Sequence, residues 1–133
     1  METYPLRLRP GQDLKGSLDE LCAREGWSAA VVLIGIGSLK VAAIRFAGEE
    51  EVNLLEGDLE IVSLSGTLSV DGSHLHVSMS DDEGRVKGGH LKEGSIVRTT
   101  AEIVVGILSE WEFRREVDGE TGYLELEVRK RSV

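Results

Sequence analysis

The chain has 133 residues, a mass of 14.5 kDa, 41% hydrophobic and 29% charged residues, and a net charge of −9. This length suits a single domain, residues 1–133, with a substantial core. The acidic balance argues against a protein that grips nucleic acid by itself, because such binding depends on Lys and Arg at the phosphates. The sequence shows no signal peptide or membrane-spanning run, and its single cysteine, Cys22, cannot form an intrachain disulfide. We therefore expect a cytoplasmic protein without membrane contact.

The N-terminal part predicts one edge strand and the chain's one convincing helix. Tyr4–Leu8 alternates as a strand does, and Pro5 favours the edge of a sheet. Apolar residues then recur at helical spacing from Leu14 to Glu25. Asp13 precedes this segment as an N-cap and Gly26 follows it as a C-terminal stop, so the helix has both boundary signals.

The middle of the chain is predicted to consist of strands. Ala29–Ile36 is a continuous apolar run, which is typical of a strand buried on both faces. The glycines in Gly35–Ser38 predict a tight turn into a further strand, Val41–Phe46. They do not form a nucleotide loop, because the third glycine and the following helix are missing. Gly57–Val70 supplies another strand or two.

The last part of the chain predicts a long strand and a terminal hairpin. Ile96–Leu108 has one apolar face, while Arg98, Thr100 and Glu102 lie on the other. That polar face would suit a subunit seam or a ligand pocket, and a solvent-exposed face with an Arg98–Glu102 ion pair explains it equally. Glu110–Val117 and Tyr123–Lys130 form the hairpin. The fold class is α+β, a mostly antiparallel sheet with one helix packed on it.

All three histidines of the chain fall in one predicted β-hairpin. His74–Ser80 alternates polar and apolar residues, and Asp82–Gly84 suits a three-residue loop whose last position is left-handed. Counting back from that loop places His76 directly opposite His90, with Cβ atoms about 4.5–5.5 Å apart. A bulge at Gly88–Gly89 would break this register.

Three imidazoles on one face predict a metal site. His74, His76 and His90 form a ligand set suited to Zn²⁺, or to Ni²⁺ or Cu²⁺, with a fourth position left open. The alternative is three solvent-facing or hydrogen-bonded histidines. Catalysis is a minority interpretation: a metal-bound water would need a base, for which the candidates are Glu102, Asp81 and Ser78.

Several short motifs occur in an order that resembles the PPC (plants and prokaryotes conserved) domain over essentially the whole chain. The motifs are Arg9-Pro10-Gly11-Gln12-Asp13, Gly35-Ile36-Gly37-Ser38-Leu39, Leu64-Ser65-Gly66-Thr67-Leu68, His74-Leu75-His76, Gly88-Gly89-His90-Leu91 and Val97-Arg98-Thr99-Thr100-Ala101-Glu102. The resemblance implies an α+β fold on a strongly bent antiparallel sheet and assembly as a homotrimer. It also implies a three-histidine cluster near the subunit interface, which maps onto His74, His76 and His90.

The resemblance gives less support to DNA binding. Plant members bind A·T-rich DNA through an Arg-Gly-Arg-Pro core, and this sequence contains no such segment. The plant stretch that contacts nuclear proteins corresponds to Gly57–Val62, where Arg-Phe is replaced by Asp58-Leu59. We therefore expect a homotrimeric binding module with a zinc-like site, with DNA binding and a small metal-dependent enzyme as alternatives.

Overall fold

The computed structural model describes residues 1–132 as one helix and eight strands. In chain order these are β1 (Glu2–Leu8), α1 (Leu14–Glu25), β2 (Ala30–Arg45), β3 (Val52–Leu68), β4 (His74–Ser80), β5 (Val86–Leu91), β6 (Ile96–Ile107), β7 (Trp111–Val117) and β8 (Leu124–Lys130). Within these residues, no helix is both long and apolar enough to cross a bilayer. The α+β prediction is confirmed, since an antiparallel sheet carries a single helix.

The main sheet has six strands in the order β1-β6-β2-β3-β4-β5, and β1 lies at its edge as Pro5 predicted. The far strand, β5, pairs back onto the end of β2 through Ile44 with Leu91 and Arg45 with His90. Strands β2, β3, β4 and β5 therefore form a closed ring of hydrogen-bonded neighbours. This closure requires the long strands β2 and β3 to bend, and it places the histidine hairpin against the end of β2.

The helix has the predicted boundaries and covers one face of the sheet. The Asp13 side chain accepts a hydrogen bond from the Gly16 N–H at 2.8 Å, and Gly26 ends the helix with φ 68°. Its buried residues are Leu14, Leu18, Leu21 and Cys22. These residues pack against the apolar side chains of the sheet in one core. The packing removes the apolar face of the helix from water.

The tight turn predicted at Gly35–Ser38 is wrong, because β2 runs through these residues as one strand. Gly37 instead permits a close approach between strands. Its φ is +143°, and a Cβ there would lie 2.2 Å from the Thr100 carbonyl oxygen. At Gly35 a Cβ would meet the Leu64 side chain at 2.8 Å. At Gly35 and Gly37, residues of the neighbouring strands thus lie directly against the backbone of β2. The glycines serve this close packing within one strand and do not form a turn.

The prediction that Ala29–Ile36 is buried on both faces is also wrong. Ile34, Ile36 and Leu33 expose 54%, 50% and 42% of their surface. Val62 lies on the neighbouring strand β3 and exposes 54%. We call these four residues the apolar strip. The run is therefore divided: Ala29, Ala30 and Val32 are buried in the core as predicted, whereas the residues from Leu33 to Ile36 include three exposed aliphatic side chains.

The polar face of β6 is exposed, and its expected internal ion pair does not form. Arg98 pairs with Asp58 on β3 instead. Glu102 is exposed and lies in register with Ile36 on β2. The apolar residues of the opposite face are buried as predicted. Residue Asp58, which departs from the plant motif, therefore serves as a cross-strand partner of Arg98, and its neighbour Leu59 is buried.

The terminal hairpin β7–β8 is confirmed and forms its own two-stranded sheet. It is anchored to the rest of the chain by backbone hydrogen bonds and by a buried ring. The Phe113 N–H donates to the Ser28 carbonyl at 2.9 Å, and the Arg115 N–H donates to the Asp71 carboxylate at 2.9 Å. The Phe113 side chain is only 6% exposed. These contacts place β7 and β8 beside the end of β4.

Candidate metal centre

The histidine hairpin has the register that its loop predicts. The Asp81 N–H donates to the Arg85 carbonyl at 2.9 Å, and Gly84 is left-handed with φ 80°. His76 lies directly opposite His90. The strands pair without a register shift through Gly88 and Gly89, so the bulge that would have separated the histidines is absent from this hairpin.

The three imidazoles form a compact cluster. Ring centroids are 4.9 Å apart for His74 and His90, 5.0 Å for His74 and His76, and 5.8 Å for His76 and His90. One nitrogen from each ring lies within 4.8 Å of the others. With Zn–N bonds of about 2.0–2.1 Å, the nitrogens around a tetrahedral ion lie about 3.3–3.4 Å apart, so the three rings are near this spacing and would move closer together around an ion. The donor set and geometry therefore fit a divalent transition metal.

The surroundings of the cluster favour neutral imidazoles. Burial, followed by the positive charges of His74 and Arg45, lowers the pKa of His90 to about 4. Burial and then the Arg115 guanidinium lower the pKa of His74, while the Glu125 carboxylate partly opposes this. A neutral ring presents a nitrogen lone pair, which is the form that binds a metal. The lowered pKa values of His74 and His90 thus favour the neutral rings, and the arginines nearby contribute to this effect.

Cross-strand pairing surrounds the histidines with hydroxyl groups and one guanidinium. A row across four strands contains Ser65, His76, His90 and Arg45, each in register with the next. The adjacent row contains Ser78, which lies opposite both Ser63 and Gly88. These rows border an open cleft of about 500 Å³, which we call the histidine cleft.

A second, smaller cleft lies on the other side of His74 and His76. It has a volume of about 390 Å³ and includes Arg115 from β7 and Glu125 from β8. The Arg115 guanidinium donates to the Thr67 hydroxyl at 2.9 Å, which fixes it beside the histidines. The terminal hairpin therefore contributes charged side chains to the edge of the candidate metal centre.

Of the three candidate bases, the structure brings only Ser78 to the histidine cleft. Its hydroxyl lies 2.6 Å from that of Ser63, so the two share a hydrogen bond. The Asp81 carboxylate instead accepts from the Glu83 and Arg85 N–H groups of the hairpin loop, and these bonds lower its pKa. Glu102 does not line either cleft.

Sequence reasoning missed Arg45, Ser65 and Arg115 as neighbours of the histidines. The pairing that brings Arg45 to His90 joins distant parts of the chain. Arg115 arrives through the docking of a separate sheet. Neither position carries a local signal in the sequence, because an arginine in an alternating strand resembles any solvated residue. The alternation of polar and apolar residues from Ser63 to Ser65 was the one sign in the sequence that the polar face extends beyond the histidine hairpin.

The chain belongs to the Plants and Prokaryotes Conserved (PCC) domain family, whose sequence pattern matches residues 1–109. This is the family abbreviated PPC above, so the resemblance is confirmed. A curated relative, the bifunctional protein GlmU of Synechococcus sp. (strain JA-3-3Ab), is 47% identical over 130 residues. The match covers 98% of this chain and 21% of that protein. The chain thus spans about a fifth of the length of the curated relative it matches.

Solved structures show the same fold. A hypothetical protein of Salmonella cholerae-suis is 40% identical with a TM-score of 0.96, covering 98% of this chain and 95% of that one. A PPC protein of Pyrococcus horikoshii is 33% identical with a TM-score of 0.80, covering 97% and 94%. The metal-containing protein AF0104 of Archaeoglobus fulgidus is 31% identical with a TM-score of 0.77, covering 94% and 92%. Proteins of Bacteroides thetaiotaomicron and Ralstonia eutropha, described as candidate DNA-binding proteins, are 22% and 24% identical and share the fold alone.

Proposed function

We propose that this protein is a metal-binding module in which His74, His76 and His90 hold a divalent transition metal, with Zn²⁺ as the first candidate. The observation that carries the proposal is the convergence of three ring nitrogens within 4.8 Å of one another. Two ligands come from one strand and the third from its hairpin partner, so the ligand set is built on rigid backbone pairing. A related fold that is described as metal-containing, in Archaeoglobus fulgidus, supports this interpretation.

Such a metal would supply Lewis-acid chemistry, and three protein ligands would leave one position open for a further ligand. No Asp or Glu among residues 1–132 lines the histidine cleft, and the Glu125 carboxylate beside His74 lines the second cleft instead. We therefore propose binding without turnover. The three histidines would hold the ion, and the neighbouring hydroxyl groups would contact whatever occupies the open position.

The test is metal content combined with thermal stability. We expect close to one equivalent of metal per chain in the purified protein, and a raised melting temperature when Zn²⁺ is added after chelation, because the ion binds only the folded state. The H76N and H90N variants should lose both effects. The S65A variant alters the same row of residues without removing a ring nitrogen and should keep them. A chelated wild-type protein whose melting temperature ignores Zn²⁺ would refute the metal site.

We also propose that the module assembles as a homotrimer. The support is the apolar strip, Leu33, Ile34, Ile36 and Val62, which leaves four large aliphatic side chains exposed on neighbouring strands. Exposed aliphatic side chains grouped in this way are typical of interaction sites. The resemblance to the family suggests three copies.

DNA binding is the weaker alternative. The net charge of −9 opposes contact with phosphates, and Arg98 is already paired with Asp58. The basic pair Arg114-Arg115 is engaged by Asp71 and Thr67. A mobility-shift titration of DNA at low salt should show no retarded species at micromolar protein. A salt-dependent shift would instead support DNA binding.

A further inference from the structure

The histidine cleft has an unusual charge for this protein. Asp and Glu account for 24 of the 133 residues, and the net charge is −9. Among residues 1–132, none of the side chains lining the cleft is acidic. The charged side chain in its wall is that of Arg45, which is half-buried. An anion entering this cleft would meet positive potential close by, whereas much of the remaining surface would repel it.

Arg45 is placed to face a ligand. Its Cα is paired with that of His90, so both side chains leave the sheet on the same face. Among residues 1–132, no carboxylate lies within 4.0 Å of its guanidinium nitrogens, and the guanidinium donates a long hydrogen bond of 3.4 Å to the Glu49 carbonyl. A guanidinium has five N–H donors in a fixed planar fork. Most of that donor capacity is therefore available to a bound group.

Other arginines of the chain differ in this respect. Arg98 pairs with Asp58, and Arg129 pairs with Glu116. The second cleft also differs, because there Arg115 shares the wall with the Glu125 carboxylate and is bound to a hydroxyl. The histidine cleft combines an arginine without an acidic partner and walls without acidic groups, and it borders the candidate metal centre.

Serine hydroxyls complete a donor set for an oxyanion. Ser63 and Ser78 hydrogen-bond to each other at 2.6 Å, which uses one hydroxyl hydrogen and leaves the other free to donate. Ser65 lines the same cleft and lies in register with His76. Arginine with hydroxyl groups is a typical donor combination for phosphate and carboxylate groups.

We infer that the histidine cleft binds a small molecule through an oxyanion group, a phosphate or a carboxylate, with Arg45 as its anchoring residue. The inference rests on the proposed metal site for its full affinity, because the metal's open position would supply a second positive contact. Ser63, Ser65 and Ser78 would donate to the remaining oxygens. The ligand class is thus small anions, which an acidic protein would otherwise bind poorly.

The experiment is a calorimetric titration with inorganic phosphate and, separately, with acetate at constant ionic strength. It uses the full chain in chelated and Zn²⁺-loaded forms. We expect saturable binding of at least one probe, tighter in the loaded form, and a loss of about tenfold or more in affinity in R45Q because charged hydrogen bonds are removed. R24Q removes the same charge from an arginine of α1 and should stay within about twofold of the wild type.

Three results of the binding titrations would overturn the inference, in addition to the metal result given below. These are no saturable binding of either probe, equal losses in R45Q and R24Q, or a loss in R115Q that R45Q does not share. Metal content, measured in parallel, separates this proposal from the preceding one. Arg45-dependent binding by the chelated protein supports the anion site even if Zn²⁺ is never bound. If R45Q loses its metal together with the anion, Arg45 acts on the histidines and the anchoring role is refuted.

Discussion

His90 and Arg45 are paired on the neighbouring strands β5 and β2. This pairing affects both the protonation of the His90 ring and the charge of the histidine cleft. Burial of the ring and the adjacent guanidinium both disfavour a protonated His90. A histidine kept neutral well below pH 7 can bind a cation over a wide pH range. The same guanidinium would attract an anion to the cleft. Arg45 thus favours the neutral form of His90, and in the inferred anion site it would also contact the anion.

The lowered histidine pKa values predict a pH-dependent stability in the metal-free protein. His90 titrates at about 4 in the folded chain and near 6.5 when unfolded, and the pKa of His74 is lowered as well. Between those values the unfolded chain binds more protons, so the free energy of unfolding should fall as the pH drops from 6.5 towards 4. Urea denaturation of the chelated protein at several pH values measures this slope.

The H90Q variant isolates the contribution of this ring from that of the carboxylates. Its free energy of unfolding should decline less steeply over the same pH interval, because the variant lacks one titrating group with a lowered pKa. S65A leaves all three rings in place and should retain the wild-type slope. Equal slopes in H90Q and wild type would contradict the environment described for His90.

At the scale of elements, glycines in the long strands allow neighbouring strands to approach closely. Gly37 and Gly57 offer a matched comparison, since their φ angles are +143° and +139°. A Cβ at Gly57 would meet no atom within 4 Å, whereas one at Gly37 would collide with the Thr100 carbonyl and the Ala101 Cα. G57A therefore carries backbone strain alone, and G37A carries strain with overpacking.

We expect G57A to lower the free energy of unfolding by about 1–2 kcal/mol. G37A should lower it by about 3 kcal/mol or more, because backbone atoms cannot move aside as a flexible side chain can. Chemical denaturation of both variants under one set of conditions gives the difference. Similar losses in the two variants would show that β2 and β6 tolerate a wider separation at this point.

The elements also show what the sequence could and could not predict. The helix and the histidine hairpin were predicted correctly because caps and loop length are local signals. The turn at Gly35–Ser38 failed because a glycine at positive φ looks the same in a turn and in a bent strand. Arg45 was missed because the pairing of β2 with β5 depends on the whole sheet closing. Contacts set by distant pairing leave no pattern within a single segment.

At the scale of the whole molecule, the apolar strip determines the expected assembly. We expect light scattering to give a mass three times the 14.5 kDa of one chain. I34D should lower that mass, because a carboxylate would be buried without a partner in the interface. V117D changes a side chain that is 72% exposed on the terminal hairpin and should leave the mass unchanged. A monomer mass for the wild type would refute the trimer.

The closed ring of β2, β3, β4 and β5 has a consequence for how the site is filled and emptied. The hairpin that carries the three histidines is held on both sides, by β3 along β4 and by β2 at the end of β5. It cannot peel away as an independent opening unit without breaking a ladder of the core sheet. We therefore expect the proposed metal and anion to enter and leave through the open side of the cleft, where His76 is exposed.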